Sequence, residues 1–321
     1  MRAANILEVQ DLRTYFFTRR GVVKAIDGVT FNVKQNETLG LVGESGCGKS
    51  VTALSIMRTV DYPGRIVGGK ILLNGESLLE KSSDEMVNVR GRLVSMVMQD
   101  PMTALNPVYT VEEQMVESFT KHQSLTRREA RQRAIETLDT VGIPSPEDRI
   151  LDYPHRFSGG MRQRIVIAIA LSCSPLLLIA DEPTTNLDVT VQAEILRLMR
   201  DLKAKSGMSI LFITHHFGLV AEMCERVAVM YAGEIVEHAD TLSLFNEPLH
   251  PYTIGLLSCI PERESQRSRL PTIAGTVPDL INVPAGCRFS PRCASATKRC
   301  FEERPPLIEA RPNHFVACHP R

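Results

Sequence analysis

Eight consecutive residues constrain this chain more than any others: Gly43-Glu44-Ser45-Gly46-Cys47-Gly48-Lys49-Ser50, which matches G-x-x-x-x-G-K-[ST]. Glycines at these places let backbone N–H groups wrap phosphate oxygens, and a helix that starts here adds the positive end of its dipole. The flanks supply that context. Glu37 to Val42 is an apolar strand running into the glycines, and Lys49 to Val60 carries Val51, Leu54, Ile56 and Met57 at the spacing of one buried helical face. Lys49 is expected on the β and γ phosphates of a nucleotide and Ser50 on Mg²⁺, with Val51 closing the nucleotide-binding run.

Two later segments complete a chemistry. Leu176 to Glu182 reads LLLIADE, an apolar strand ending in two carboxylates at the sheet edge where ligands of α/β folds bind. Asp181 suits the metal shell and Glu182 the attacking water, against the alternative of a solvated strand end or a helix cap. Ser158-Gly159-Gly160 precedes a helix, so its hydroxyl and exposed N–H groups make a second anion site that the first nucleotide does not need.

Around these motifs, strands and helices alternate. LLLIAD and Ser209 to His215 flank a helix near Val191 to Ala204, which implies a parallel sheet. Thr103 to Arg156 is helical and polar, its clearest amphipathic piece, Thr126 to Ile143, ended by Gly142 and Pro144, and Arg226 to His238 alternates about Ala232-Gly233 as a hairpin. At 321 residues the chain has room for one large α/β domain and an appendage. Lys plus Arg and Asp plus Glu both number 37, so net charge points to neither nucleic acid nor an anionic membrane. No stretch approaches the ~18 apolar residues of a membrane span, and MRAANILEVQDL lacks the features of a secretory leader, so a cytosolic location is expected.

Taken in series, the P-loop, SGG, LLLIADE and a His after a strand resemble the ATP-binding cassette (ABC) family over roughly residues 6 to 255. The resemblance implies an α/β P-loop NTPase cassette: a RecA-like core with an antiparallel β subdomain and an inserted helical subdomain at about 102–160. It implies ATP hydrolysis by two such domains meeting head to tail, so that Ser158, Gly159 and Gly160 reach the γ phosphate held on the other subunit's P-loop. By the same resemblance Gln99 reads Mg²⁺ or the attacking water, His215 contacts the γ phosphate, Phe16 stacks on adenine and Asp188 lies in the dimer-interface loop. Tyr15 and Phe17 are immediate neighbours of Phe16, so a slip of one residue changes that assignment. Asn186 replaces a commoner small residue and His216 a frequent Asp, while Asn36 stands for a Gly whose left-handed conformation Asn also tolerates. Cys47 is either a small loop filler or a thiol activated by the helix dipole and Lys49.

Gln99 to Pro107, His250-Pro251-Tyr252-Thr253 and a cysteine-rich end resemble the dipeptide and oligopeptide importer subfamily, which also includes nickel importers. That implies an ATPase on the cytoplasmic face of the bacterial inner membrane. Its partners are a second homologous ATPase subunit, two membrane-spanning permease subunits and an external solute-binding protein, with no nucleic acid. The expected division is a cassette at 1–261, then a linker and C-terminal extension at 262–321. A nucleic-acid or ribosome ATPase and an exporter ATPase are the competing readings, disfavoured by the single cassette and by the HPYT and cysteine-rich tail. Cys287, Cys293, Cys300 and Cys318 are spaced C-x₅-C-x₆-C-x₁₇-C, a thiolate tetrad that suits a [4Fe-4S] cluster, as the subfamily resemblance suggests, or Zn²⁺; unligated or disulfide-bonded cysteines are the third possibility.

Overall fold

A computed structural model describes residues 4–259 and 272–319. The expected domain boundary at 261/262 and the first part of the linker lie outside the described residues. Two compact units emerge, one built mainly from Glu80–Leu211, the other from Leu7–Val33, Thr38–Leu79 and the described residues from Phe212 onward.

In the first unit, strand Leu177–Asp181 is buried at every position and pairs in parallel with Val94–Val97, Leu177 opposite Val94 and Ala180 opposite Val97. Burial on both faces explains why LLLIAD is unbroken rather than alternating. Between these strands in the chain lies the helical insertion, with Val111–Gln123, Arg127–Thr140 and Gly159–Leu171 as its longer helices. The first two begin in capping boxes, Thr110 with Glu113 and Thr126 with Glu129, each pairing side chain and backbone reciprocally. Arg127–Thr140 buries Ala130, Ala134, Ile135 and Leu138 as one stripe and stops at Gly142, whose φ of 77° opens the left-handed exit. Helix Val189–Ser206 extends beyond the expected run at both ends because Asp188 caps its start and Gly207, at φ 70°, its finish.

In the second unit, an antiparallel sheet orders the strands Gly21–Lys34, Asn5–Thr18, Gly64–Leu73 and Glu76–Ser77. Strand Thr38–Val42, wholly buried, pairs in parallel with Arg226–Tyr231, which turns back as Glu234–Asp240. The turn residues Ala232 and Gly233 have φ of 46° and 87°, the double positive that a two-residue hairpin loop demands. Strand His314–Val316 then pairs with Glu234–Asp240, Glu237 opposite Val316, and Ile308–Arg311 closes a terminal hairpin on it. The end of the chain is therefore built onto the unit that carries the phosphate loop. Glu237, with no exposed surface, fixes this junction: its carboxylate accepts from the Leu249 and His250 N–H groups at 2.6 and 3.0 Å and meets His314 Nε2 at 2.7 Å.

One expectation needs correcting. The helix after the phosphate loop is Lys49–Met57, and Arg58 ends it with φ 51° rather than continuing to Val60. Its buried face is Lys49, Thr52, Ala53, Ser55, Ile56 and Met57, leaving Val51 and Leu54 half-buried. Apolar spacing misplaced the stripe because the hydroxyls are satisfied inside: Thr52 donates to the Gly48 carbonyl at 3.0 Å and Ser55 to that of Val51 at 2.7 Å. Among the described residues, no helix is long and apolar enough to cross a membrane.

Candidate active site

The phosphate loop lies in the second unit, between its buried strand and helix. Two of its glycines are dictated by contact: a Cβ on Gly43 would stand 2.1 Å from the Met230 carbonyl oxygen, and one on Gly48 2.5 Å from that of Ala25. Gly46 faces open space, and with Ser45 and Ser50 it forms the exposed rim where phosphates can enter. The Lys49 ammonium donates to the carbonyls of Gly43 at 2.8 Å and Glu44 at 3.0 Å, so its charge curls the loop.

Cys47 is fully buried, and burial pushes its thiol up while Lys49 pulls back. The buried thiol is the small filler of the two readings; an activated thiolate does not fit this setting.

Glu44 is held from three directions. Its carbonyl accepts from Lys49, its N–H donates to the Tyr252 hydroxyl at 2.9 Å, and its carboxylate takes a two-pronged ion pair from Arg292 at 2.7 and 3.0 Å. Sequence reasoning missed this. His250-Pro251-Tyr252-Thr253 signalled a subfamily and Arg292 was one more basic residue beside a cysteine; neither pattern carries the distance to residue 44.

Phe16 sits opposite Gly64 in the antiparallel sheet, half-buried, its ring edge over the position where a Gly64 side chain would be. Its neighbours are engaged elsewhere: the Tyr15 hydroxyl donates to Asp27 at 2.6 Å, and Arg65 lies over the Phe17 ring at 5.8 Å. His215 is exposed immediately beyond strand Ser209–Thr214, at the start of the turn that leads into helix Phe217–Met223.

In the first unit, Asp181 is buried at the strand end and Glu182 follows it with a left-handed φ of 46°. Such a conformation is costly for a residue with a Cβ and collects at functional sites. One oxygen of the Glu182 carboxylate accepts from Gln99 Nε2 at 2.8 Å and from the Thr185 hydroxyl at 2.9 Å. The two residues expected to manage the attacking water are thus together, 83 positions apart in sequence. Thr185 is an addition that sequence reading had not assigned.

Ser158 caps helix Gly159–Leu171, its hydroxyl accepting from the Met161 N–H at 3.3 Å, and Ser158 and Gly159 are exposed. A Cβ on Gly160 would meet Val191 Cγ1 at 2.6 Å and one on Gly159 Leu187 Cδ2 at 3.6 Å, so the signature turn abuts the loop that holds Asp188. Asp188 itself caps the next helix by accepting from the Val191 N–H at 3.0 Å, while Asn186 takes φ 65°. Asn36 likewise takes φ 58°, the left-handed conformation expected of it.

In the tail, Cys287, Cys293, Cys300 and Cys318 line one small cavity of about 30 Å³ together with His250, Phe289 and His319. Burial raises the Cys287 thiol to about 11, with the Cys300 and Cys318 charges adding and the Phe289 N–H opposing. Among the described residues, no group of three or more His, Cys, Asp or Glu is gathered to hold a single metal ion. The cavity wall is anchored by Arg288, which pairs with Asp27 and Glu234 and donates to the Ala232 carbonyl.

Comparison with known proteins fits this geometry. A family description, "ABC transporter", matches residues 26–185, and a second, "Oligopeptide/dipeptide transporter, C-terminal region", matches residues 236–300. The chain is 52% identical over 319 residues to the "Probable peptide ABC transporter ATP-binding protein y4tR" of Sinorhizobium fredii, covering 99% of this chain and 95% of that one. It is 50% identical over 316 residues to the "Oligopeptide transport ATP-binding protein AppD" of Bacillus subtilis, covering 98% and 96%. Among solved structures, cbiO1 from Clostridium perfringens superposes with a TM-score of 0.65 at 27% identity, covering 76% of this chain and 92% of that one. A dimeric ATP-binding cassette bound to ADP and Pi, MJ0796, gives 0.66 at 24% identity over 73% and 98%, a likeness of fold alone.

Proposed function

The chain belongs to the ABC transporter ATP-binding family, and from that premise we propose that it is the subunit whose ATP hydrolysis drives import of di- or oligopeptides. The observation that carries the enzymatic half is the Gln99–Glu182 pair at the end of the buried strand, because it presents a fixed carboxylate for water activation. The peptide half rests on the C-terminal match at 236–300 and on relatives matched over nearly their whole length.

In this reading Gly43 to Val51 cradle the ATP phosphates, Lys49 neutralises their charge and Phe16 stacks on the adenine. Ser50, Asp181 and Gln99 hold Mg²⁺, which supplies charge neutralisation on the transferring phosphoryl group. Glu182 takes the proton of the attacking water and His215 steadies the γ phosphate. Ser158 and Gly159, exposed at a helix N-terminus, and the half-buried Gly160 serve the nucleotide of a second, homologous ATPase subunit, and Asp188 lies along that contact. Two permease subunits and an external solute-binding protein complete the assembly at the cytoplasmic face of the inner membrane. The cassette ends near 261, with 102–160 as its helical subdomain.

The four tail thiols line one cavity, and their spacing is the ground for proposing them as the donor set of an iron–sulfur cluster, with zinc as the alternative, although among the described residues no three of them are gathered to hold one metal ion. A bound cluster gives the tail a rigid, redox-capable core. Anaerobic purification with iron, sulfide and zinc analysis decides between them; about one zinc and no sulfide per chain refutes the cluster.

Affinity purification of the tagged chain from membranes tests the function. Recovery of two permeases, a second ATPase and a solute-binding protein that takes up peptides is expected. Recovery of ribosomes or DNA, or a binding protein that holds nickel and no peptide, contradicts it.

A further inference from the structure

Arg292 belongs to the tail yet ends on the phosphate loop. It closes the short 3₁₀ turn Ser290–Arg292, directly before Cys293, and that turn forms part of the cysteine-lined cavity. Its side chain is 4% exposed although it carries a full charge. Everything around it fixes one pose. Nε donates to the Ala274 carbonyl at 2.9 Å, the guanidinium lies over the Tyr231 and Phe289 rings at 5.7 and 5.9 Å, and both terminal nitrogens fork onto Glu44. A planar fork with restricted rotamers loses little further entropy on pairing, so this ion pair acts as a fixed strut rather than a surface contact.

The far end of the strut is the second residue of the loop. Tyr252, fully buried, holds the Glu44 N–H, and Lys49 holds its carbonyl. Contacts at its N–H, carbonyl and carboxylate thus determine where residue 44 sits, the carbonyl also accepting from the Cys47 N–H at 3.3 Å, and among the described residues Arg292 supplies the contact from the tail. Its charge matters as much as its shape. A bare Glu44 carboxylate beside a polyphosphate repels it, and Arg292 cancels that charge within hydrogen-bonding distance.

We propose that Arg292 is a positioning residue for nucleotide binding: by clamping and neutralising Glu44 it sets the phosphate loop, and so ties ATP affinity to the integrity of the cysteine-lined tail. The inference rests on residues 43–50 being the phosphate loop. Arg292 touches no substrate; it acts through Glu44. Disturbing the cavity that carries the turn Ser290–Arg292 moves the strut, and the loop loses its third support.

The full-length protein is titrated with Mg-ATP and Mg-ADP while the assembled transporter's ATP turnover is measured over a range of ATP concentrations. Arg292→Ala is expected to weaken nucleotide binding and raise KM for ATP about 10-fold or more, with kcat at saturation within about 2-fold of wild type. Arg292→Lys keeps the charge without the fork and is expected to fall between, which also serves if the alanine variant folds poorly. In a Glu44→Gln background, the Arg292→Ala loss should shrink to about 3-fold or less, since the charge it cancels is gone. Hydrogen exchange at residues 43–50 should rise in Arg292→Ala. Wild-type affinity in Arg292→Ala and Arg292→Lys, or a fall in kcat with KM unchanged, overturns the proposal. A wild-type chain that binds no nucleotide instead overturns the reading of residues 43–50.

Discussion

Gln99 donates its side-chain amide to the Glu182 carboxylate at 2.8 Å, joining the second residue beyond strand Val94–Val97 to the first beyond its parallel neighbour Leu177–Asp181. The contact orients a carboxylate without neutralising it, because an amide N–H carries no charge and stabilises the charged form. Thr185 donates to the same oxygen and adds a second support for that orientation.

Replacement at Gln99 separates orientation from charge. Gln99→Ala should lower ATP turnover about 10-fold, whereas Gln99→Glu, which sets a second carboxylate against Glu182, should lower it about 100-fold at pH 7. The sign follows from repulsion: two facing carboxylates share a proton, which raises the pKa of the base. The acid limb of the Gln99→Glu pH–rate profile should therefore move to higher pH than in wild type. Equal losses with unshifted limbs would mean that Gln99 does not govern the ionisation of Glu182.

The glycines of the phosphate loop should not be equivalent. A methyl at Gly43 meets a backbone carbonyl at 2.1 Å, a contact that only displacement of the Met230 segment can relieve, while Gly46 has nothing within 4 Å. Gly43→Ala should cost about 3 kcal/mol or more of folding stability, and Gly46→Ala only the roughly 1–2 kcal/mol of its left-handed backbone, φ 79°. Chemical denaturation of the two variants beside wild type reads the difference directly.

Cys47 provides a pH test. Thiolate is the reactive form, and burial holds the Cys47 thiol above its ordinary value, so less thiolate exists at neutral pH than in an exposed cysteine. Alkylation of the native protein followed by peptide mass spectrometry should leave Cys47 unmodified at pH 7, with labelling that appears only above the pH at which an exposed cysteine reacts, or on unfolding. Rapid labelling at pH 7 would return Cys47 to the activated class.

Much of this was legible in sequence because local signals and packing agree. Gly43 to Ser50 lie between a strand and a helix as their pattern requires, Thr126 and Glu129 announce a helix start, and Ala232-Gly233 announces a hairpin. The buried face of Lys49–Met57 was misread because Thr52 and Ser55 are polar in composition but satisfied within the helix. Glu44, Tyr252 and Arg292 were illegible as a set for a different reason. Their meeting spans up to 248 positions and depends on the tail hairpin joining the Glu234–Asp240 strand, a tertiary fact with no periodic signature.

Whether this chain hydrolyses ATP with Glu182 as the base is decided by Glu182→Gln in the assembled transporter. Nucleotide binding and phosphate release are measured on the same preparation. ATP affinity should stay within about 3-fold of wild type while phosphate release slows at least about 100-fold, because the amide keeps the shape and loses the proton acceptor. Phosphate release at the wild-type rate contradicts Glu182 as the base.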